Sequence, residues 1–265
     1  MTVAAAQNAP APPETTVFVV VPAYNEEARI GQLLERIDRD LHAAGLTFRI
    51  VVVDDGSGDA TPDIVNRLAD RIPIDSQRHP QNLGLGSTIR DGLQRAVALA
   101  GPEDFIVTMD GDDTHPPALI ARMVQALREG HDVVVASRYR PGSRVIGVPL
   151  FRRLLSYLGS GLLRLTFPIA GIRDYTNGYR AYRSDCLRQA LAVYGERFLD
   201  QRGFQCMVDI LLKLRPLGLV MGEVSLVLRY DRKQGQTKMQ IGRTIRNTLL
   251  LIAKRRLSPV AQSRK

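Results

Sequence analysis

Short apolar runs alternate with segments of helical periodicity through the first half of the chain. Four β-branched runs have the continuous apolar character of strands that are buried on both faces, at 17–24, 48–55, 104–110 and 132–138. Apolar residues recur every three or four positions in the intervening segments, which predicts helices at 26–45, 61–71, 86–101 and 116–130. This alternation predicts an α/β fold with a mostly parallel central sheet and helices on both of its faces.

Polar and acidic residues follow three of these predicted strands. The first strand continues into PAYNEE, the second into DDGSGD, and the third into DGDD, which starts at Asp110. The carboxyl ends of parallel strands meet at one edge of the sheet, where such folds bind ligands. A single aspartate after a strand is often only a turn or cap residue, but three acidic segments at one edge indicate a ligand site.

Three kinds of chemistry are open to this acidic edge. Asp110 and Asp112 have the D-x-D spacing that can hold Mg²⁺ or Mn²⁺, which prefer oxygen ligands. Carboxylates could instead accept hydrogen bonds from a ribose or a base, or act as a general base. The chain has no P-loop and no GxGxxG after its first strand, and NLGLGS at 82–87 is a weak signal alone. A metal is therefore the expected means of neutralising a bound nucleotide diphosphate.

The composition of the 265 residues, 45% hydrophobic and 24% charged, indicates a globular protein. The net charge of +9 is concentrated near the C-terminus, because residues 201–265 contain 14 Lys and Arg against 3 Asp and Glu. A cationic end suits an anionic partner. We predict an anionic membrane surface and no nucleic acid, because zinc-finger spacing, an RNP-like aromatic motif and Trp are all absent from the sequence. Two isolated cysteines, Cys186 and Cys206, are predicted to be core thiols.

The two ends of the chain are predicted to be tails, at 1–16 and 258–265. The longest apolar segment, 154–172, is interrupted by Arg164 and Pro168. Its uninterrupted apolar stretches are too short to span a bilayer. A basic amphipathic helix is predicted at 241–257. These features predict a cytoplasmic protein that lies peripherally on the inner face of a membrane, alone or with a membrane-protein partner.

An ordered set of motifs resembles the family 2 glycosyltransferases, and more narrowly the dolichol- or polyprenyl-phosphate mannosyltransferase (dolichol-phosphate mannose synthase) group. The motifs extend from about Val17 to Lys254 and read VVPAYNEE, VVVDDGSGDAT, NLGLGS, MDGDDTHPP, ASRY, DYTNGYRAYR and RKQGQTK. The resemblance implies a GT-A (nucleotide-diphospho-sugar transferase) fold at 17–240. It also implies a GDP- or UDP-sugar donor, Mg²⁺ or Mn²⁺, a polyprenyl-phosphate acceptor and inversion at the anomeric carbon.

The resemblance also implies a role for each matched residue. The nucleoside would contact Pro22, Tyr24, Glu26, Val53 and Asp55, and the diphosphate would contact Gly111. Asp110 and Asp112 would bind the metal, and Arg138 would face the reacting phosphates. Arg152 and Ser156 would bind the acceptor phosphate, and Arg232 and Lys238 would contact both donor and acceptor. Of these, Asp112, Arg138, Arg152 and Ser156 would be the catalytic residues.

Two positions depart from the family pattern. The family usually reads D-A-D-x-Q, whereas Thr114 stands at the place of the Gln, where it would contact the donor site. Asp113 or water is an alternative for completing the metal sphere. Gln205 stands where the family has a Lys. His115 could be a metal ligand, but beside Pro116 it is expected to begin a helix.

Several alternatives stay open from the sequence. A lipid monophosphate, with a second pKa of about 6, can attack without a general base, whereas a hydroxyl acceptor on another lipid or a polysaccharide would need one, with Asp174 and Asp200 as candidates. The apolar segment after Arg153 is either a buried core helix or an interfacial helix that lines a prenyl groove. A nucleotidyltransferase is disfavoured because no GxGxR-type loop follows the first strand. Intact Asp110 and Asp112 disfavour a non-enzymatic sugar-nucleotide or membrane-binding module.

Overall fold

One seven-stranded sheet runs through residues 15–232 and 241–257, which are the residues described by this computed structural model. The strands of the molecule are β1 (Thr16–Ala23), β2 (Thr47–Asp54), β3 (Ile74–Arg78), β4 (Phe105–Thr108), β5 (Val133–Ser137), β6 (Arg144–Ile146), β7 (Arg180–Arg183), β8 (Met221–Ser225) and β9 (Val227–Arg229). The large sheet has the order β3-β2-β1-β4-β7-β5-β8, and β6 pairs with β9 outside it. The four predicted strands correspond to β1, β2, β4 and β5.

Helices cover both faces of the large sheet. They are α1 (Ile30–Ala43), α2 (Thr61–Ala69), α3 (Leu85–Leu99), α4 (Leu119–Arg128), α5 (Leu150–Thr166), α6 (Ser184–Tyr194), α7 (Cys206–Leu214) and α8 (Ile241–Leu257), with 3₁₀ turns at Gly195–Leu199, Arg215–Leu217 and Tyr230–Arg232. Apolar residues of α1, α2 and α4 pack in one core, and those of α3, α6 and α7 pack in the other. Both cysteines are buried and unpaired, as predicted.

The sheet is parallel except at β7. This strand is antiparallel to both of its neighbours, β4 and β5, whereas β1–β2, β1–β4, β2–β3 and β5–β8 are parallel pairs. The prediction of a mostly parallel sheet covered on both faces is therefore confirmed. Neither β7 nor β3 was predicted, because RAYR and IDSQR lack the apolar runs that mark the other strands.

The register of β1, β2 and β4 gathers the acidic segments at one edge. Pro22 and Val53 are partners near the carboxyl ends of β1 and β2, and the loop after β4 comes against the same strand end. A Cβ on Gly111 would lie 2.6 Å from the carbonyl oxygen of Pro22. Only glycine allows so close an approach of the two backbones, and so this residue sets the distance between two walls of the site.

Two helices of the C-terminal half, α5 and α8, leave most of their apolar side chains exposed. In α5, Leu163 is buried, but Leu150, Phe151 and Leu165 are 79%, 66% and 84% exposed. The alternative of a buried core helix is therefore wrong for most of this segment. Helix α8 has the bounds predicted for the basic helix, and its Leu251 packs in the core.

None of the helices in the described part of the chain is both long and apolar enough to cross a bilayer.

Candidate active site

The loops after β1 and β2 are joined by hydrogen bonds at the edge of the sheet. Asn25, with a φ of 50°, donates its N–H to Ser57 Oγ at 2.9 Å and accepts the Gly58 N–H through Oδ1 at 2.9 Å. Glu26 donates its N–H to Thr61 Oγ1 at 2.8 Å. These bonds fix the segment in which Tyr24 and Glu26 lie half-buried beside Pro22 and Val53. The structure thus brings together four of the five residues that the resemblance assigns to the nucleoside.

Asp55, the fifth of these residues, is buried and organises the loop before α3. Its two oxygens accept the N–H groups of Leu83 and Gly84 at 2.8 and 2.9 Å, and Oδ1 lies 2.7 Å from His79 Nδ1. The other ring nitrogen of His79 lies 2.9 Å from Asp91. A nucleoside contact of Asp55 stays a prediction, while its role in holding this loop is visible. Nothing in the local sequence pattern marked His79.

The glycine-rich segment at 82–87 serves close packing in this structure. Gly86 donates its N–H to the Arg202 carbonyl at 2.9 Å, and a Cβ on Gly86 would overlap the carbonyl oxygen of Gln201. The start of α3 is therefore packed against the 201–202 backbone. The part of the glycine-rich segment that precedes α3 is a loop, as predicted.

The carboxylates of the D-x-D motif are held in different ways. The Asp110 side chain follows β4 and is 45% exposed. Asp112 Oδ1 accepts the Thr114 hydroxyl at 2.7 Å and its N–H at 3.3 Å. Thr114 is buried, so its hydroxyl orients the Asp112 carboxylate. This contact gives a physical role to the threonine that replaces the glutamine of the family pattern.

The third aspartate of the stretch, Asp113, is turned away from this pair. It has a φ of 58°, in the left-handed region, is buried, and forms an ion pair with Arg36 of α1. The alternative in which Asp113 completes a metal sphere disagrees with this pairing. The Arg36–Asp113 contact instead anchors the loop to α1.

His115 positions the backbone of the same loop. Its Nδ1 accepts the Asp110 N–H at 3.2 Å, and its ring stacks on Tyr179 with the centroids 4.8 Å apart. Tyr179 donates its hydroxyl to the Pro116 carbonyl at 2.8 Å. The expectation that His115 begins a helix is wrong, because α4 starts only at Leu119. His115 instead supports Asp110 through its backbone.

Asp110 and Asp112 fit a small divalent cation by the chemistry of their donor atoms. Both offer carboxylate oxygens at the sheet edge, the ligand type that Mg²⁺ and Mn²⁺ prefer. In the described residues, no cluster of three or more His, Cys, Asp or Glu is placed to hold a metal. Mg²⁺ in phosphate-transfer sites commonly uses one or two carboxylates, with water and substrate phosphates as the remaining ligands. The two residues are therefore suited to a metal that binds together with a diphosphate.

Arg138 and Asp174 form a bidentate ion pair next to Asp110. Arg138 Nε and Nη2 donate to the two oxygens of Asp174 at 2.8 and 2.7 Å, and Nη2 also donates to Thr176 Oγ1 at 2.6 Å. Burial acts to raise the pKa of Asp174, but the charge and hydrogen bonds of Arg138 outweigh it and hold that pKa below its usual range. Burial acts to lower the pKa of Arg138, but the charges of Asp174 and Asp110 raise it. Asp174 is therefore a poor general base.

Asp200, the other candidate base, is also engaged in ion pairs. It lies 2.9 Å from Lys213 Nζ, and the charged ends of Lys254 and Arg255 are each within 3.9 Å. Burial acts to raise the pKa of Asp200, but the hydrogen bond and charge of Lys213 bring it down to about 2. A carboxyl group with that pKa binds protons too weakly to serve as an effective base at neutral pH.

The acceptor residues of the resemblance lie on α5. Ser156 Oγ is 2.7 Å from the Tyr139 hydroxyl, and Tyr139 follows Arg138 in the chain, so Ser156 comes close to the Arg138 pair. Arg152 lies one turn earlier than Ser156 on α5. The side chains of Arg152 and Arg232, and the whole of Lys238, lie outside what the structure describes.

Arg180 is a structural element of the site that no local pattern singled out. It is fully buried and donates to three carbonyl oxygens, those of Asn177, Met207 and Tyr175, at 2.8, 2.6 and 2.9 Å. These bonds tie the turn that carries Asp174 to the start of α7. The residue lies in the motif DYTNGYRAYR, but the residues around it in the sequence do not predict this role.

Comparison with known proteins supports the architecture and the motifs. Residues 18–190 match the sequence profile of Glycosyl transferase family 2. The chain is 33% identical over 235 residues to the dolichol-phosphate mannosyltransferase of Pyrococcus furiosus, a match that covers 86% of this chain and 60% of that protein. It is 30% identical over 245 residues to the polyprenol monophosphomannose synthase of Mycolicibacterium smegmatis, covering 91% of this chain and 87% of that one.

A solved structure gives the same fold at lower sequence similarity. Glucosyl-3-phosphoglycerate synthase from Mycobacterium tuberculosis, in a complex with Mn²⁺, UDP and phosphoglyceric acid, superimposes with a TM-score of 0.65 at 22% identity. The match covers 94% of this chain and 80% of that one. This likeness supports the GT-A type of α/β fold. Together with the sequence profile, which spans well over half of the residues, it shows that the chain belongs to glycosyl transferase family 2.

Proposed function

We propose that this protein transfers a hexose from a nucleotide-diphosphate sugar to a polyprenyl phosphate, with inversion at the anomeric carbon. The observation that carries the proposal is the Arg138–Asp174 ion pair beside Asp110. This pair places a protonated guanidinium at the acidic edge and makes Asp174 a poor base. Such an edge suits an acceptor that is already an anion.

The acceptor class follows from the protonation chemistry of the site. A phosphate monoester, with a second pKa of about 6, is an oxyanion at neutral pH and needs no proton removed before it attacks. A hydroxyl acceptor would need a base, and both Asp174 and Asp200 are ion-paired with lowered pKa values. The enzyme's task is then to align the reactants and to exclude water.

The donor is proposed to bind across the carboxyl ends of β1, β2 and β4. Tyr24 and the backbone of Val53, whose side chain is buried in the core, would contact the nucleoside, and Gly111 would lie against the diphosphate. Asp110 and Asp112 would hold Mg²⁺ or Mn²⁺, which when bound neutralises the charge of the departing nucleotide diphosphate. Arg138 would add a second positive charge at the reacting phosphates.

The activities for which the two relatives are named support this substrate class. One is a dolichol-phosphate mannosyltransferase and the other a polyprenol monophosphomannose synthase. We therefore propose mannose as the first sugar to test and glucose as the second, with GDP or UDP as the nucleotide. A long-chain prenyl phosphate is the proposed acceptor.

A lipid acceptor would require contact with a membrane. The exposed apolar side of α5 and the exposed basic residues of α8, Arg246, Lys254 and Arg256, are proposed to meet the anionic cytoplasmic leaflet. The protein would be peripheral on that face, alone or beside a membrane-protein partner. Salt should weaken this contact, because exposed charges are screened.

The proposal is tested by transfer of radiolabelled sugar from GDP-mannose and UDP-glucose. Undecaprenyl phosphate is compared with undecaprenol, which differs only in its phosphate. We expect labelled lipid with the phosphate and not with the alcohol, and only when Mg²⁺ or Mn²⁺ is present. Transfer to the alcohol at a comparable rate would contradict the phosphate acceptor and favour the hydroxyl alternative.

A further inference from the structure

A cavity of 970 Å³ lies at the C-terminal end of α5. Its lining includes three arginines, Arg140, Arg164 and Arg173, and one carboxylate, that of Glu223. The rest of its wall is largely apolar and comes from α5 and the 168–172 segment. A cavity of this size can hold a small-molecule ligand, and the excess of arginines gives it a cationic lining.

Glu223 holds two of the arginine-bearing segments in place. Its Oε1 accepts the backbone N–H groups of Arg173 and Asp174 at 2.6 and 2.7 Å, and its carbonyl oxygen accepts from Arg140 Nη1 at 2.6 Å. The only carboxylate of the lining is thus engaged with the chain itself. The cavity is built around this residue, and Arg140 is committed to its wall.

Arg164 and Arg173 are the two arginines that can serve a ligand. Both are exposed, and within residues 15–232 and 241–257 neither guanidinium donates a hydrogen bond or forms an ion pair. A guanidinium offers several donors in a planar fork that matches the oxygens of a phosphate group. Two such forks on one cavity are suited to a phosphate anion.

The cavity continues an exposed apolar stripe. Leu165, which is 84% exposed, lines it, and Leu154, Leu158 and Leu162 precede it on α5 at spacings of three or four residues. Residues with this spacing share one side of a helix. Their exposed fractions of 55%, 58% and 42% leave this stripe open to solvent. A ligand with a phosphate at one end and hydrocarbon at the other would contact both features.

We infer that this cavity binds the phosphate of an anionic phospholipid headgroup, with the acyl chains along the leucine stripe of α5. The inference goes beyond the proposed sugar transfer, which does not require a second phosphate site. The Glu223 bonds join Arg173 and Asp174, and Asp174 holds Arg138. A phospholipid in the cavity would therefore hold the reacting edge near the bilayer surface.

The inference is tested by flotation with vesicles of phosphatidylcholine alone and of phosphatidylcholine mixed with phosphatidylglycerol. The variant, called the α5 variant, is Arg164→Gln with Arg173→Gln, the first on α5 and the second in the segment that follows it. The matched control is Arg122→Gln with Arg128→Gln, which removes two exposed arginines of α4 on the other face of the sheet. At about 1 kcal/mol for each basic residue near the surface, partitioning onto the mixed vesicles should fall about 30-fold in the α5 variant. It should change little in the control.

The inference would be overturned if partitioning onto the mixed vesicles fell equally in both double variants, or if it did not fall in the α5 variant. Glycerol 1-phosphate without vesicles separates a soluble phosphate from a lipid. If it stabilises the native protein against heat but not the α5 variant, and vesicle binding is unchanged, the lipid assignment is wrong.

Transfer of sugar to farnesyl phosphate in detergent separates this site from the reacting one. Its rate should be the same in the α5 variant and the native protein, and a fall would place the cavity in the acceptor site and overturn the inference. If the native protein transfers no sugar, the proposed function fails, while the flotation result still decides the phospholipid site.

Discussion

The acidic edge and the surface of α5 differ in how far their side chains are held or covered by neighbouring residues. At the edge, Thr114 orients Asp112 and His115 supports the backbone of Asp110, so each polar group is set by a neighbour. On α5, Phe151 and Leu165 are 66% and 84% exposed and have no such cover. The edge is pre-organised for a small charged ligand before that ligand arrives. The apolar side chains of α5 would be buried only by contact with a second apolar phase, because large apolar patches are unfavourable in water.

Helix α8 lies between these two extremes. It exposes Leu249 and Leu250, at 50% and 61%, as α5 exposes its leucines. It also inserts Arg255 into a bidentate contact with the buried Asp209, at 2.8 and 2.9 Å. A charged clamp therefore fixes this helix to the domain, whereas α5 is fixed by apolar contacts such as that of Leu163. The predictions below test each part of this contrast.

The largest effect is expected at the acidic edge. Asp110→Asn and Asp112→Asn should each lower metal-dependent turnover about a thousandfold, because an amide cannot balance a divalent charge worth several kcal/mol at the transition state. Initial rates over a Mg²⁺ and Mn²⁺ titration measure this. The matched control is Asp113→Asn, which loses an ion pair with Arg36 and should reduce thermal stability while keeping metal-dependent turnover. Near-normal rates in both Asp110→Asn and Asp112→Asn at saturating metal would show that these two residues do not bind the metal.

The next effect concerns the clamp of α8. Arg255→Met should lower the free energy of unfolding by about 2 kcal/mol, because the buried Asp209 would then have to share its remaining cation, Lys213, with Asp200. Urea unfolding measures this change. Arg256→Met, at the exposed neighbouring position, should change stability very little. Equal effects of the two substitutions would mean that the clamp does not fix the helix.

A smaller effect is expected for the acceptor phosphate on α5. Arg152→Ala should raise the KM for prenyl phosphate about tenfold or more, because a charge-assisted contact contributes about 1.5–3 kcal/mol. Donor affinity, measured separately by calorimetry, should be unchanged. Arg153→Ala, one position along the helix, is the control and should leave acceptor kinetics intact. If the two variants behave alike, the phosphate contact does not belong to Arg152.

The smallest effect is the acid sensitivity of Asp200. Its pKa in the folded protein is about 2, below the ordinary value of 3.8, so its ion pairs stabilise the fold above that range. This contribution should be lost as the pH falls from 3.8 towards 2. For a partly exposed group, screening reduces it to about 1 kcal/mol.

Unfolding of Asp200→Asn and of the native protein, compared across this pH window, measures the difference. The variant should lack that part of the acid dependence and should still turn over at neutral pH. A folded Asp200→Asn that binds donor but is inactive would restore Asp200 as a base.

Local sequence was enough for four of the seven strands of the large sheet and for the acidic edge. The β-branched runs of β1, β2, β4 and β5 can be stable only where both faces are covered, so their burial follows from their composition. Parallel connectivity then places the segments after them at one edge, which predicted the position of Asp110 and Asp112 before any contact was known. The loops that carry Tyr24 and Glu26 follow by the same reasoning.

What the sequence could not supply is the partner of each charge. Arg36 and Asp113 are 77 residues apart, and Arg138 and Asp174 are 36 apart. Either aspartate could have been a ligand, a base or a partner in an ion pair until the fold placed an arginine against it. The antiparallel β7 likewise has no local signature, because its place between β4 and β5 depends on strands that lie far from it in the chain.

The sequence by itself determined the class of fold and the acidic edge, because these depend on periodicity and on the order of elements along the chain. Only the tertiary structure decided that Asp174 and Asp200 are ion-paired, that Asp113 is turned to Arg36, and that most of α5 is left uncovered. The physical reason is that burial and ion pairing are set by contacts between distant segments. A local pattern fixes which side of a helix is apolar, while the packing of the whole chain decides what covers it.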